Sequence, residues 1–184
     1  MNALKFCGIM LLALVLTNTS FAQEKTVMVG GAAMYPSKNI VENAINSNDH
    51  KTLVAAVKAA GLVETLEGAG PFTVFAPTDE AFNMLPAGTV DNLVKPENKA
   101  TLTKILTYHV VSGRLDSKEL MAEIKAGNGT AQLKTVSGGK LWVMMKDKKL
   151  WLKDEKGGMA EITIKDVYQS NGVILVIDHV LMPV

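Results

Sequence analysis

The chain has 184 residues, of which 48% are hydrophobic and 20% charged, a formal net charge of +1 and a single cysteine, Cys7. This balanced charge gives no electrostatic reason to expect nucleic acid or an anionic membrane surface as a partner, because neutralisation of phosphates by Lys and Arg supplies most of such binding. A chain of this length is typical of one domain, which without disulfides must be held together by its core alone.

Residues 1–22 have the pattern of a cleavable secretory signal. Lys5 provides a positive start, an apolar run covers residues 8–16, and Ser20 and Ala22 place small side chains at positions −3 and −1 of a cut. The apolar run is too short to span a bilayer, which takes about 20 apolar residues. We therefore predict cleavage after Ala22, a secreted or periplasmic location, and a mature chain without a transmembrane segment or a thiol.

The segment that follows the signal lacks regular periodicity. Residues 23–36 contain Gly30, Gly31 and Pro36 and no sustained apolar repeat. They are predicted to form a flexible leader, so that the folded domain covers residues 37–184.

The first part of this domain is predicted to be helical. From residue 39 to residue 62, apolar side chains fall near the i, i+3, i+4 spacing of helices with one buried face, which indicates two or three short helices before residue 68. Asn48 or Asp49 is a candidate N-cap for the helix that contains Leu53, and Gly61 is a candidate stop.

Two strands and three further helices are predicted next. Residues 72–76 form a β-rich run that ends at Pro77, after which Thr78 is placed to cap a helix over residues 79–85. Residues 102–106 belong to another helix, which is predicted to lead into a strand over residues 108–111. Asp116 and Glu119 then have the spacing of a capping box, which predicts a helix to about Lys125.

After Gly127 the apolar period changes from 3.6 to 2, which indicates strands separated by turns. The five strand candidates cover residues 133–136, 141–145, 150–152, 162–164 and 173–181. Helices gathered first and antiparallel strands gathered later favour an α+β class over a doubly wound parallel sheet.

Three motifs in this order resemble those of the fasciclin (FAS1) family. FTVFAPTDEAF over residues 72–82 is similar to its first signature, YHVV over residues 108–111 to its central Tyr-His segment, and NGVILVIDHVLMP over residues 171–183 to its second signature. The resemblance covers about residues 37–184. It implies a wedge of antiparallel strands, a β-sandwich packed with several short helices that lie mostly in the N-terminal half.

The resemblance also implies a non-enzymatic role in adhesion to cells, matrix or other macromolecules. In animal members of the family, the Tyr-His segment and an Asp-Ile pair upstream of the second signature are linked to integrin recognition. The matching positions here are Tyr108, His109, Asp166 and Val167, with Val167 in place of the usual Ile. These four residues are candidate binding residues.

A structural role is the alternative for the Tyr-His segment. Tyr108 and His109 are neighbours on the predicted strand, so their side chains point to opposite faces and cannot act on one substrate atom. A ring that fills the core while its polar tip bonds to the backbone explains either residue without recognition. The three histidines, His50, His109 and His179, lack ligand spacing and no nucleophile motif is present, so no catalytic residue, metal or cofactor is predicted.

A second group of candidate binding residues lies in the hairpin over residues 141–152. Alternation places Leu141, Val143 and Met145 on one face and Trp142 and Met144 on the other, where Trp151 joins them if residues 146–149 make the turn. Aromatic side chains dominate protein interfaces, so this patch is a candidate for partner contact or weak self-association. The alternative is that the leader or a helix covers it.

Two functions remain open from the sequence. The first is an adhesion or interaction module, without catalysis, that binds a protein or another macromolecule at a cell surface or in a matrix. The alternative is a carrier that holds a small apolar ligand between the sheet and the helices, in an interior rich in methionine.

Overall fold

The computed structural model describes residues 25–184, so that the predicted signal and its cut after Ala22 lie outside the described residues. Seven α-helices are formed within this part of the chain, together with one 3₁₀ turn at Pro96–Asn98. The α-helices are α1 (Ile40–Ala44), α2 (Lys51–Ala60), α3 (Val63–Glu67), α4 (Asp79–Asn83), α5 (Thr89–Leu93), α6 (Lys99–Tyr108) and α7 (Ser117–Ala126).

Nine strands alternate with and follow these helices. They are β1 (Val27–Val29), β2 (Ala32–Met34), β3 (Phe72–Pro77), β4 (Val110–Ser112), β5 (Thr130–Lys134), β6 (Lys140–Lys146), β7 (Lys149–Lys153), β8 (Met159–Gln169) and β9 (Gly172–Ile177). The predicted α+β class, with most helices in the N-terminal half and antiparallel strands after residue 127, is confirmed.

The strands β3 to β9 form one seven-stranded sheet in the order β4-β3-β9-β8-β7-β6-β5. All neighbours are antiparallel except β3 and β9, which run parallel with Phe72 opposite Gly172. The sheet curls until its two ends meet, where Val111 of β4 bridges Thr135 just after β5 and the N–H of Val136 donates to the carbonyl of Val110 at 2.8 Å. The curled halves therefore face each other, as the strands of a sandwich do.

Two hydrophobic cores lie on opposite sides of the central strands β3 and β9. Val74 and Ile174 point into the first core, which contains the apolar faces of α1, α2, α3 and α6. Phe75 and Leu175 point into the second core, which fills the curled sheet and is closed by Leu120 and other side chains of α7. Each core holds alternate residues of the same two strands, as the period of two requires.

The predicted flexible leader is corrected for residues 27–34. These residues form the hairpin of β1 and β2, in which Val29 and Met34 are 4% and 2% exposed and belong to the first core. Gly30 and Gly31 make its turn with positive φ, which glycine adopts without a steric penalty. Two strands of three residues are too short to show a period of two in the sequence.

Several helix caps occur as predicted, but the cap of α2 comes from elsewhere in the chain. Asp116 and Glu119 form the capping box of α7, and the hydroxyl of Thr78 accepts from the N–H of Ala81. Neither Asn48 nor Asp49 caps α2. Instead the carboxylate of Asp79 accepts from Thr52 N–H at 2.8 Å, so the first signature motif holds the start of α2 across a sequence separation of 27 residues.

Asn171 joins four segments of the fold through its side chain and its backbone carbonyl. Its Oδ1 accepts from the N–H of Ile40 at 3.0 Å, and its Nδ2 donates to the carbonyls of Leu66 and Gly68 at 2.7 and 2.9 Å. Its backbone carbonyl accepts from Phe72 N–H at 3.0 Å. The residue thus connects α1, the end of α3, β3 and the turn before β9, and it is 6% exposed.

The turn between β8 and β9 consists of Ser170 and Asn171, since Gln169 pairs with Gly172. Gly172 does not have positive φ. Glycine is required at this position because a Cβ there would lie 2.2 Å from the carbonyl oxygen of Phe72.

We expect Asn171→Ala to lower the free energy of unfolding by about 3 kcal/mol, since it leaves one buried N–H and two carbonyls without their partner. Asn171→Asp, which retains the acceptor and loses both donors, should also be strongly destabilising. Urea unfolding measures both variants, with Asn92→Ala on the exposed surface of α5 as the control, expected within about 0.5 kcal/mol of the parent. Equal stability of the two alanine variants would contradict the role assigned to Asn171.

Candidate interaction surface

Tyr108 is the last residue of α6 and not part of a strand, which corrects the prediction for residues 108–111. The strand begins at Val110 because the helix continues through Tyr108. The ring is fully buried in the second core. Its hydroxyl donates to the carbonyl of Lys140 at 2.6 Å and accepts from the N–H of Glu155 at 3.1 Å, and burial raises the pKa of Tyr108 to about 12.

His109 is also buried, with 3% of its surface exposed, and both ring nitrogens bond to the backbone. The N–H of Leu181 donates to Nε2 at 3.0 Å, so Nε2 must be the unprotonated acceptor. Nδ1 therefore carries the proton and donates to the carbonyl of Ile105 at 2.8 Å. Burial lowers the pKa of His109 to about 4, so the ring is neutral at pH 7 and ties the C-terminal segment to α6.

Asp166 and Val167 lie at an irregularity of β8. The pairing with β9 shifts register between Ile164 and Val167, and Asp166 has a φ of 60°. Its two carboxylate oxygens accept from the N–H and the hydroxyl of Ser117 at 2.7 and 2.6 Å, which fixes the first turn of α7. Val167 is 1% exposed and packs in the first core.

The four candidates taken from the family resemblance are therefore not brought together as one exposed site. Tyr108 lies in the second core, while His109 and Val167 are buried at other places and Asp166 caps a helix. Their contacts match the structural alternative, in which rings fill the core and polar tips bond to the backbone. A recognition role for these residues stays a prediction that their burial disfavours.

The second group of candidates forms a continuous surface. Alternation in β6 is confirmed, with Leu141 and Val143 fully buried and Trp142 and Met144 half-buried on the other side. Trp151 lies directly opposite Met144 in β7, as expected. We call the outward side of β5 to β8 around Trp142, Met144 and Trp151 the outer face.

The hairpin turn that positions Trp151 consists of Asp147 and Lys148, between the paired residues Lys146 and Lys149. Both turn residues have positive φ, of 52° and 63°, as a two-residue hairpin turn of type I′ requires. Met145, predicted on the side of the core, is 42% exposed because it lies beside this turn, at the end of the buried region.

The aromatic side chains of the outer face belong to neither core. The ammonium of Lys146 lies 5.6 Å from the centre of the Trp151 ring, a cation–π geometry. The indole N–H of Trp151 is covered and has no hydrogen-bond partner among the described residues, so packing alone fixes this ring. A shallow groove of about 530 Å³ lies beside Trp142 and Met144, with Lys153 to Gly157 along its other side.

Polar side chains of the outer face were not among the sequence candidates. Thr130 and Gln132 lie opposite Met144 and Trp142, and Glu161 lies opposite Trp151. The side of the sheet on which they lie follows from the same period of two that predicts the side of Trp142. Which strands are neighbours, and in which register they pair, is set by the fold. The sequence alone therefore could not show that these residues surround the tryptophans.

The interior contains one apolar cavity of about 70 Å³, between the sheet and the helices. Val29, Met34, Leu53 and Ile174 are among its lining residues, and His50 and His109 are among its polar neighbours. Nδ1 of His50 lies 2.8 Å from the hydroxyl of Ser47, whereas its Nε2 has no hydrogen-bond partner within the described part. Burial lowers the pKa of His50, so this ring too favours the neutral form.

Residues 25–184 contain no group of three or more His, Cys, Asp or Glu side chains that could hold a metal ion. None of the helices in this range is both long enough and apolar enough to cross a membrane.

The chain belongs to the fasciclin family, since the model of the fasciclin domain matches residues 48–183. The fold agrees, because a solved FAS1 domain pair of the insect cell adhesion molecule fasciclin I superposes with a TM-score of 0.71 at 16% identity. That superposition covers 86% of this chain and 58% of the other. Fasciclin domains often serve in adhesion and extracellular interaction.

Several relatives are similar over most of this chain. Protein sll1483 of a Synechocystis species is 47% identical over 160 residues, which cover 87% of this chain and 82% of that protein. Immunogenic protein MPT70 of Mycobacterium tuberculosis is 37% identical over 76% of this chain and 66% of its own. Transforming growth factor-beta-induced protein ig-h3 of Oryctolagus cuniculus is 35% identical over 80% of this chain, which spans 20% of that protein.

His109 should make stability fall in acid. Its pKa is lowered from 6.5 to about 4 in the folded state, so the unfolded chain binds a proton between these values while the folded chain does not. The stabilisation is present above pH 6.5 and is lost as the pH falls towards 4, by about 3 kcal/mol at most. We expect His109→Asn, which cannot titrate, to be less stable than the parent at pH 7. Its free energy of unfolding should also fall less than that of the parent as the pH is lowered. Urea unfolding from pH 7.5 to 4.5 compares the two slopes, and parallel slopes would refute the assignment.

Asp166→Ala should destabilise the fold by about 2 kcal/mol, through loss of both bonds to Ser117 and an unfavourable positive φ. Asp166→Asn should destabilise the fold less, because asparagine retains one hydrogen-bond acceptor and tolerates this backbone conformation. Asp147→Ala provides the matched control, as it changes an aspartate with a φ of 52° in an exposed turn. If thermal unfolding shows equal losses for both alanine variants, the contacts with Ser117 contribute nothing.

Proposed function

We propose that the chain is a secreted or periplasmic adhesion and interaction module, without catalytic activity, that binds a macromolecule of a cell surface or matrix through the outer face. The observation that carries this proposal is the half-buried group of Trp142, Met144 and Trp151, which belongs to neither core. Membership of the fasciclin family supports it. So does similarity to a cell surface glycolipoprotein of Mycobacterium bovis, which is 33% identical over 168 residues.

Physical chemistry favours these side chains as anchors. Tryptophan offers a large rigid area with few rotatable bonds, so that its burial against a partner has a low entropic cost. The strands below are held by buried Leu141, Val143 and Leu152, so the surface is already formed before binding. A single small face of this kind binds weakly, and display of several copies would raise the avidity.

Catalysis lacks a comparable basis in the described residues. The hydroxyl or ring nitrogens of Tyr108 and His109 are occupied by backbone bonds, and His179 bonds only to its neighbour Asp178 on the surface. Among the described residues, the contacts of Tyr108, His109 and His179 thus offer no pairing of a base with a nucleophile, which hydrolysis requires.

The carrier function is supported by the place of the apolar cavity but not by its size. The cavity lies between sheet and helices, where such a ligand was expected. Its volume of about 70 Å³ is less than half of the roughly 150 Å³ of an engineered cavity that binds benzene. A carrier would therefore have to open its first core, whereas the outer face needs no rearrangement.

Replacement of both tryptophans tests the proposed surface. Trp142→Ala with Trp151→Ala should weaken binding of the purified chain to envelope or matrix material of the producing cells by about tenfold or more. The melting temperature should change little, because neither ring is part of a core. Binding is measured by retention on immobilised material, and unfolding by circular dichroism.

Tyr35→Ala is the matched control, since this aromatic side chain is 41% exposed on the helical side. It should bind as the parent does. If the double variant is instead unfolded, single Trp142→Leu and Trp151→Leu variants retain apolar packing and still remove the aromatic anchor. Undiminished binding by folded variants would disprove the proposal.

A further inference from the structure

Charge is unevenly distributed although the whole chain carries only +1. The four strands β5 to β8, from residue 130 to residue 169, contain eight lysines and five acidic residues, which gives this segment +3. The remainder of the chain therefore carries −2. A balanced total conceals a basic region in the part of the sheet that has the half-buried tryptophans.

The basic residues lie on the outer face itself. Lys134 and Lys140 are directly opposite each other on β5 and β6, and Lys146 and Lys149 are opposite on β6 and β7. Lys153 is opposite Trp142. By alternation all five share the side of Trp142 and Trp151, so lysines border the aromatic patch at both ends of these strands.

Like charges placed directly opposite destabilise a sheet, unless a counter-charge offsets them. Among these five lysines, only Lys149 has such a counter-charge in the described structure, the carboxylate of Glu161 at 2.7 Å. Lys134, Lys140 and Lys153 form no ion pair with any described residue. The outer face thus has uncompensated positive charge around an apolar centre, and an anionic partner would remove this repulsion.

A surface with aromatic rings, hydrogen-bonding side chains and ammonium groups matches the chemistry of a charged sugar polymer. The C–H face of a sugar ring packs on an indole, and its hydroxyls bond to polar groups such as Thr130 and Gln132. One carboxylate on each ring matches lysines that border the tryptophans at both ends of the strands. The groove beside Trp142 continues this surface, and its charged lining consists of Lys153, Asp154, Glu155 and Lys156.

We propose that the outer face binds an acidic polysaccharide of the polyuronate type, in which sugar rings stack on Trp142 and Trp151 while lysines pair with the carboxylates. This inference rests on the proposed function and names the chemical class of its partner. Lys134, Lys140 and Lys153 are the electrostatic contacts. Electrostatic attraction of this kind weakens as salt screens it.

Polygalacturonate is the probe, and isothermal titration calorimetry with the full purified chain is the measurement. We expect binding that weakens with added salt and no binding of uncharged dextran. The triple variant Lys134→Gln, Lys140→Gln, Lys153→Gln should bind about tenfold or more weakly. Trp142→Ala with Trp151→Ala should lose binding to the same or a greater extent.

The triple variant Lys51→Gln, Lys58→Gln, Lys95→Gln is the matched control, because it removes the same charge from exposed positions on the helical side. It should bind polygalacturonate as the parent does. An equal loss in both triple variants would show that net charge, not the outer face, attracts the polymer, and would overturn the inference. Binding that withstands replacement of both tryptophans would overturn it as well.

Three further results would also reject the polyuronate. The first is tighter binding of dextran sulfate that does not change when both tryptophans are replaced. The second is preferential binding to phosphatidylglycerol vesicles or to single-stranded oligothymidylate. The third is dimerisation, observed by sedimentation, that buries the outer face. If polygalacturonate fails but the double tryptophan variant still loses binding to cell material, the proposed function stands with another partner. If neither material binds, both proposals fail.

Discussion

Strand β9 is the constraint on which the rest of the molecule depends, because all six of its residues are buried and it separates two cores. It pairs in parallel with β3 and antiparallel with β8, so its backbone is satisfied on both edges and its side chains alternate between the cores. Ile174 and Val176 belong to the helical side, whereas Leu175 and Ile177 belong to the curled sheet. Neither half can pack unless the other is present, which makes the domain one cooperative unit.

Burial at this centre explains the polar residues that surround it. Parallel strands end at the same edge, where the chain must turn away and leave backbone groups that water cannot reach. Asn171 satisfies such groups at one end of β9, and His109 satisfies two at the other, the carbonyl of Ile105 on α6 and the N–H of Leu181. The second signature and the Tyr-His segment therefore contain residues that a buried parallel pair requires. Their contacts are those of a hydrogen-bonded interior.

What could be predicted from the sequence follows from the range of each interaction. The hairpin of β6 and β7 and the Asp116 cap depend on residues a few positions apart, and their patterns predicted them correctly. The cap of α2 by Asp79 and the burial of Tyr108 depend on contacts across 27 and 32 residues, which no local period contains. The same limit applied to the outer face. Trp142 and Trp151 were predicted to share a side, but the neighbouring Lys134 became part of the surface only through strand register.

The division of the chain between two cores also limits where function can lie. Side chains of β3 and β9 are occupied on both sides, and the helices use their apolar faces for one core or the other, whereas β5, β6 and β7 use only one side of each strand. An antiparallel sheet with one face solvated normally places polar residues there, and Trp142, Met144 and Trp151 depart from that pattern. The proposed function accounts for these side chains by contact with another molecule. In the proposed contact with an acidic polysaccharide, an anion would relieve the repulsion between the lysines that lie opposite each other.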